Sequence, residues 1–153
     1  MKTVVLMIIS GIISVNASAQ HDSELQSIRK LIGSFINDLN RSDFSNLPDY
    51  CTKEWIHINS YGGVNYGRDE GVQEIFQTYK TNLKDAKIAI DKMTVRMISQ
   101  DAAIVTVIHK IDSYTDTRAV KYSNQQQVKT FVVVKQAEKW LLALDQSTVV
   151  APQ

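Results

Sequence analysis

Residues 54–70 read EWIHINSYGGVNYGRDE, and their period changes along the stretch. Trp55, His57 and Asn59 alternate with Ile56 and Ile58, which is strand spacing. Gly62, Gly63 and Gly67 follow, opening turn conformations that other residues enter at a cost. Arg68-Asp69-Glu70 then begins a segment whose apolar positions, Val72, Ile75, Phe76 and Tyr79, recur at helical steps. The two acids suit the positive end of a helix dipole. The stretch is therefore a strand, a glycine turn and a helix start. Its strand carries an aromatic ring, a titratable ring and an amide on one face.

Upstream, Ser23 and Gln26 form a capping-box pattern, predicting a helix that begins there. Leu25, Ile28, Leu31, Ile32, Phe35 and Leu39 make one apolar stripe along it. The segment 40–43 breaks this helix, and a short second helix is expected around residues 43–50, limited by Pro48. Downstream, strands are expected at 88–99 (in one or two segments), 102–114, 125–135 and 140–150. DSYTDTR (112–118) is a loop or hairpin tip, and QAEK (136–139) a four-residue turn. Helices first and long strands afterwards give an α+β domain, with helices on one face of a curved sheet.

The first residues predict an exported chain. Lys2 gives a positive start, Val4 to Val15 an apolar run too short to span a bilayer, and Ala17-Ser18-Ala19 a small-residue cleavage signal. Residues 1–19 are expected to be a signal peptide and 20–153 a single domain, secreted or periplasmic. Loss of Lys2 takes the formal charge from +1 to zero. A neutral chain with scattered basic residues gives no reason to expect nucleic acid or an anionic membrane as partner. Cys51 is the only cysteine, so an internal disulfide is excluded; it is a small buried group or a thiol that a histidine would have to activate. Three histidines and one cysteine show no metal-ligand spacing. No glycine-rich dinucleotide fingerprint or nucleophile elbow is present, and no cofactor is expected.

The order DLNRSDFSNL (38–47), strand, NSYGGVNYGR (59–68) into a helix, then a four-strand meander resembles the nuclear-transport-factor-2-like cone fold. That superfamily includes ketosteroid isomerase and the SnoaL-type polyketide cyclases. A closer similarity is to the SgcJ/EcaC family, through the Trp-to-Gly-Arg segment and the Trp-led last strand. Here that strand is WLLALDQST (140–148), with Ser147 where Asn is usual. The resemblance covers about residues 24–150. It implies a cone-shaped curved antiparallel sheet with three N-terminal helices packed on its concave side, and a pocket between the first helix and the sheet. SgcJ/EcaC members are often labelled oxidoreductases; the missing fingerprint keeps that label from this chain.

The resemblance also implies positions for an isomerase. The carboxylate base falls on Asn59, which cannot take a proton at useful pH. The oxyanion-hole tyrosine falls on Phe35, and the protonated aspartate near Lys129 or Thr130. None of the three roles is kept. What remains is a candidate ligand site made of Ile32, Phe35, Trp55, His57, Asn59 and His109, holding a small, largely apolar ligand in a homodimer. Two other readings stay open. His57 could serve a small isomerase- or cyclase-like enzyme as general base, or the domain could be a non-catalytic interaction module. His57 and His109 each have a plainer reading as core histidines satisfied by hydrogen bonds.

Overall fold

The structure, a computed structural model, describes residues 8–116 and 119–151, with side chains from Ser18 onward. The start of the expected leader, from Lys2 through the beginning of the apolar run, lies outside the described residues, as do Thr117 and Arg118 of the hairpin tip and Pro152. Among the described residues nine elements follow one another: α1 (Ile8–Arg41), α2 (Leu47–Tyr50), β1 (Cys51–Ile58), β2 (Val64–Tyr66), α3 (Arg68–Lys80), β3 (Ile88–Met97), β4 (Ala102–Thr115), β5 (Lys121–Gln136) and β6 (Lys139–Val149). The fold is α+β, as expected. Among the described residues no helix is long and apolar enough to cross a membrane.

Two sequence expectations change. Ser23 caps nothing: α1 passes through it, and its carbonyl accepts the Ser27 hydroxyl at 2.9 Å inside the helix. Residues 12–22 contain neither glycine nor proline, so nothing stops the helix upstream of Ser23. The sheet is also not wholly antiparallel. Its order is β2-β1-β6-β5-β4-β3, and β1 runs parallel to β6. The chain returns from the far end of the meander to close against the strand where it began, and that return fixes the direction.

Irregular register bends the sheet. Pairing shifts between Cys51 and Ile56 in β1, between Ile90 and Lys92 in β3, and between Val132 and Val133 opposite β6. Each extra residue kinks its strand and adds twist. Into the concave side pack Ile28, Leu31, Ile32, Phe35, Ile36 and Leu39 of α1. Phe35 is the hub, meeting Tyr50, Trp55 and Phe131 edge-on at ring-centroid distances of 6.0–6.5 Å. The free edge of β3 is covered by α1: Asn40 exchanges hydrogen bonds with both backbone groups of Ile88, and Arg29 donates to the Met93 carbonyl.

Candidate functional site

The inward row of the long strands changes character along its length. At one end of β4 and β5 it is Ala103, Val105, Phe131 and Val133, all fully buried under Phe35. Toward the other end it becomes His109, Gln127 and Lys129, also buried. Beyond the Phe35 hub the layers separate and leave a cavity of about 310 Å³. Ile36 and Leu39 of α1, Ile75 of α3, Leu83, Ile88 and Ile111 form its apolar walls. His57, Asn59, Glu74, Gln127, Lys129 and Ser147 form a polar end.

The candidate row is therefore divided. His57, Asn59 and His109 line the cavity. Ile32, Phe35 and Trp55 do not; each is fully buried in the core. Phe35 fills the space between α1 and the sheet with its ring contacts, so the cavity opens one turn further along the helix, at Ile36 and Leu39.

The polar end is one connected network. His57 Nδ1 lies 3.0 Å from both carboxylate oxygens of Asp145, its partner across the parallel ladder. His57 Nε2 lies 3.1 Å from Glu74 Oε2. Asp145, fully buried, also accepts from Lys129 Nζ, which donates to Ser147 Oγ at 3.0 Å. Asn59 Nδ2 and Thr78 Oγ1 each donate to Glu74 Oε1 at 3.2 Å. Burial alone would lower the His57 pKa, but hydrogen bonds to Asp145 and Glu74 reverse this and raise it. Burial would raise Asp145; the adjacent Lys129 and His57 hold it below its usual value instead. Glu74 is likewise lowered, burial being outweighed by His57, Asn59 and Thr78. Two carboxylates and two cations thus alternate in a chain whose formal charge is zero.

With a carboxylate at each ring nitrogen, both nitrogens of His57 are engaged, and its protonated form is favoured. Asn59 is also committed. Its Oδ1 accepts from the amides of Tyr61 and Gly63 at 3.0 Å, holding the turn, while its Nδ2 orients Glu74. Among the described residues the buried Nδ1 of His109 has no hydrogen-bond partner. Burial and the nearby Lys129 depress its pKa to about 4, so it is neutral at ordinary pH.

Other singled-out residues are structural. Burial pushes the Cys51 thiol far up, and Asp145 adds to the effect, leaving it protonated and inert. Arg68 reaches the Pro48 carbonyl at 3.5 Å and Asp69 at 3.3 Å, anchoring the α2 loop. Trp140 donates to Glu24 at 2.6 Å, tying the last hairpin to α1. Among the described residues no group of three or more His, Cys, Asp or Glu could hold a metal ion.

Sequence reasoning missed Glu74, Lys129 and Asp145 as members of the site. Glu74 and Thr78 had a signal, because they lie three and seven residues after Gly71 on one side of α3. Gly71 itself marks a close approach: a Cβ there would stand 2.6 Å from the Trp55 ring and 3.1 Å from His57 Cβ. Only glycine lets α3 sit near enough to β1 for Glu74 to reach His57.

The family model described as calcium/calmodulin dependent protein kinase II association domain matches residues 24–148. Similar solved structures include an uncharacterized protein with a cystatin-like fold from Caulobacter vibrioides, 21% identical, covering 84% of this chain and 90% of that one at a TM-score of 0.80. A ketosteroid isomerase-like protein from Erwinia carotovora atroseptica is 20% identical, covering 84% and 98% at 0.70. A nuclear-transport-factor-2-like protein from Novosphingobium aromaticivorans is 11% identical, covering 91% and 90% at 0.73. At these identities the structures share a fold, and nothing more is transferred from them. No curated protein matches the chain.

Proposed function

The chain belongs to the calcium/calmodulin dependent protein kinase II association domain family, within the nuclear-transport-factor-2-like superfamily, and on that premise we propose that it is an exported domain that binds a small molecule in its cone. The observation behind the proposal is the 310 Å³ cavity with apolar walls and one internally satisfied polar end. A concave apolar site with a few convergent polar groups is the ordinary form of a ligand site. Binding is favoured over catalysis because the network spends its titratable groups on one another. His57 has both nitrogens engaged, and Glu74 is a weakened base. Calorimetric titration of the mature protein with a bicyclic hydrocarbon such as tetralin tests it. Saturable binding at one site, abolished by filling the cavity with Leu83→Trp, is the expected result. Absence of saturation, or saturation indifferent to that substitution, would overturn the reading.

A second reading concerns assembly. The outward face of the sheet carries Ile56, Leu144, Val132 and Ile104 in one transverse row, with Val128 and Ile108 in another. All six are half-buried. From this row, and with a family described as an association domain, we propose a homodimer built sheet to sheet.

A further inference from the structure

Removal of the expected leader would undo one end of α1. In an α-helix each N–H donates to the carbonyl four residues back. The N–H groups of residues 20–23 therefore depend on the carbonyls of residues 16–19, which belong to the leader. A cut after Ala19 leaves those donors without acceptors. Residues 20–23 are all exposed, so burial does not hold them helical. Glu24 is anchored instead: Trp140 and Lys135 donate to its two oxygens at 2.6 and 2.9 Å.

The capping-box pair that caps nothing in the uncut helix lies at this boundary. With α1 restarting at Ser23, the Ser23 hydroxyl is placed to accept from the Gln26 amide, and the Gln26 side chain from the Ser23 N–H. Gln20, His21 and Asp22 are then a short tail ahead of the cap. Its first residue is a glutamine with a free α-amine. An ammonium is disfavoured at the positive end of a helix, and an α-amine titrates near pH ~8, so a neutral, nucleophilic fraction exists at ordinary pH. Gln20 also lines an open groove with Glu24, Asp101, Lys135 and Glu138. Glu24 and Glu138 are already paired with Lys135. Asp101 is the counter-ion to which an uncyclised terminus would turn.

We propose that Gln20 is a modification site, closing to pyroglutamate once the leader is removed. The neutral α-amine attacks Cδ of its own side-chain amide. The N–Cδ bond forms, the Cδ–Nε2 bond breaks, and an amine proton leaves with Nε2 as ammonia. The closure consumes no oxidant or second substrate, because nucleophile and electrophile belong to one residue. It removes the terminal charge from the helix end. The proposal rests on the exported reading above and adds the chemical state of the mature terminus to it.

Secretion of the full chain, followed by intact mass and stepwise N-terminal sequencing, tests it. The expected product spans 20–153 and is lighter than that encoded chain by one ammonia. It is blocked to sequencing until pyroglutamyl aminopeptidase removes the first residue, after which His21, Asp22 and Ser23 are read. Gln20→Asn, whose closure would need a strained four-membered ring, should give the full mass and an open terminus. A parent chain that starts at Gln20 with full mass and a free amine, after overnight incubation at neutral pH, overturns the modification and leaves export in place. A chain that keeps residues 1–19, or begins elsewhere, overturns the cleavage reading and the proposal with it. A Gln20→Asn chain as light and as blocked as the parent would place the lost ammonia at another residue and overturn the assignment.

Discussion

His57 and His109 occupy the same cavity and respond to pH in opposite senses. The folded state raises the pKa of His57 above 6.5, because two carboxylates outweigh burial. Its stabilisation is complete below pH 6.5 and is lost as pH rises through the raised value. The folded state lowers His109 to about 4. The unfolded chain therefore binds the proton first, and stability falls as pH drops from 6.5 toward 4, by at most about 3 kcal/mol. Urea unfolding from pH 4 to 9 should separate the two. His57→Gln should flatten the alkaline limb, and His109→Gln the acid limb down to pH 4. If both variants keep the parent profile, the assigned protonation states are wrong. Asp145 joins His57 to Lys129. Asp145→Asn leaves His57 and Lys129 facing one another without their shared carboxylate, and should cost about 3–5 kcal/mol in the same unfolding experiment. A loss under 1 kcal/mol would show that the network is not closed.

The β5–β6 hairpin shows both the reach and the limit of sequence periodicity. QAEK marks a turn, and the structure tightens it to a two-residue loop, because Gln136 and Lys139 already pair. Ala137 and Glu138 both adopt left-handed conformations, with φ of 46° and 63°. That is the turn Asn-Gly fits, and its twist matches the strands. Replacing the pair by Asn-Gly should stabilise the protein by roughly 1 kcal/mol, since each non-glycine residue there works against its Cβ. The lost ion pair of Glu138 with Lys135 is a surface contact of small value. A fall in melting temperature would contradict this. The same hairpin explains why Asp145 stayed hidden. Strict alternation from Trp140 and Leu142 sends 144 inward and 145 outward. The register shift places Leu144 opposite Val132, an outward residue, so Asp145 and Ser147 turn into the cone. A bulge reverses phase without leaving any mark in composition. Burial in β1 alternates from Trp55 to Ile58, so that row was readable, and His57 fell where parity put it. How far along that row the cavity began was not readable. That depends on Phe35 closing against Trp55 and Phe131 across the fold, a contact between segments far apart in sequence.

For the whole molecule, the two faces of the sheet divide the work. The concave face closes over a core at one end and a cavity at the other, and it is complete within one chain. The convex face carries a half-buried apolar row, and on the dimer reading a second chain completes it. Its transverse row Ile56–Leu144–Val132–Ile104 crosses four strands, and an apolar band of that kind is stable in water when a second surface covers it. A second copy is the self-complementary choice, because a two-fold axis through the row sets apolar strands against their own equivalents. Val132→Lys tests the arrangement from its centre. A lysine there points outward and leaves the single chain intact, yet it would be buried without a partner in the dimer. It should weaken association by roughly 3–5 kcal/mol, a hundredfold or more. Light scattering should then give the mass of one chain for the variant and of two for the parent, while tetralin binding in the cavity persists. A parent protein that already scatters as a single chain at micromolar concentration would remove the dimer and leave the convex row to be explained by another partner.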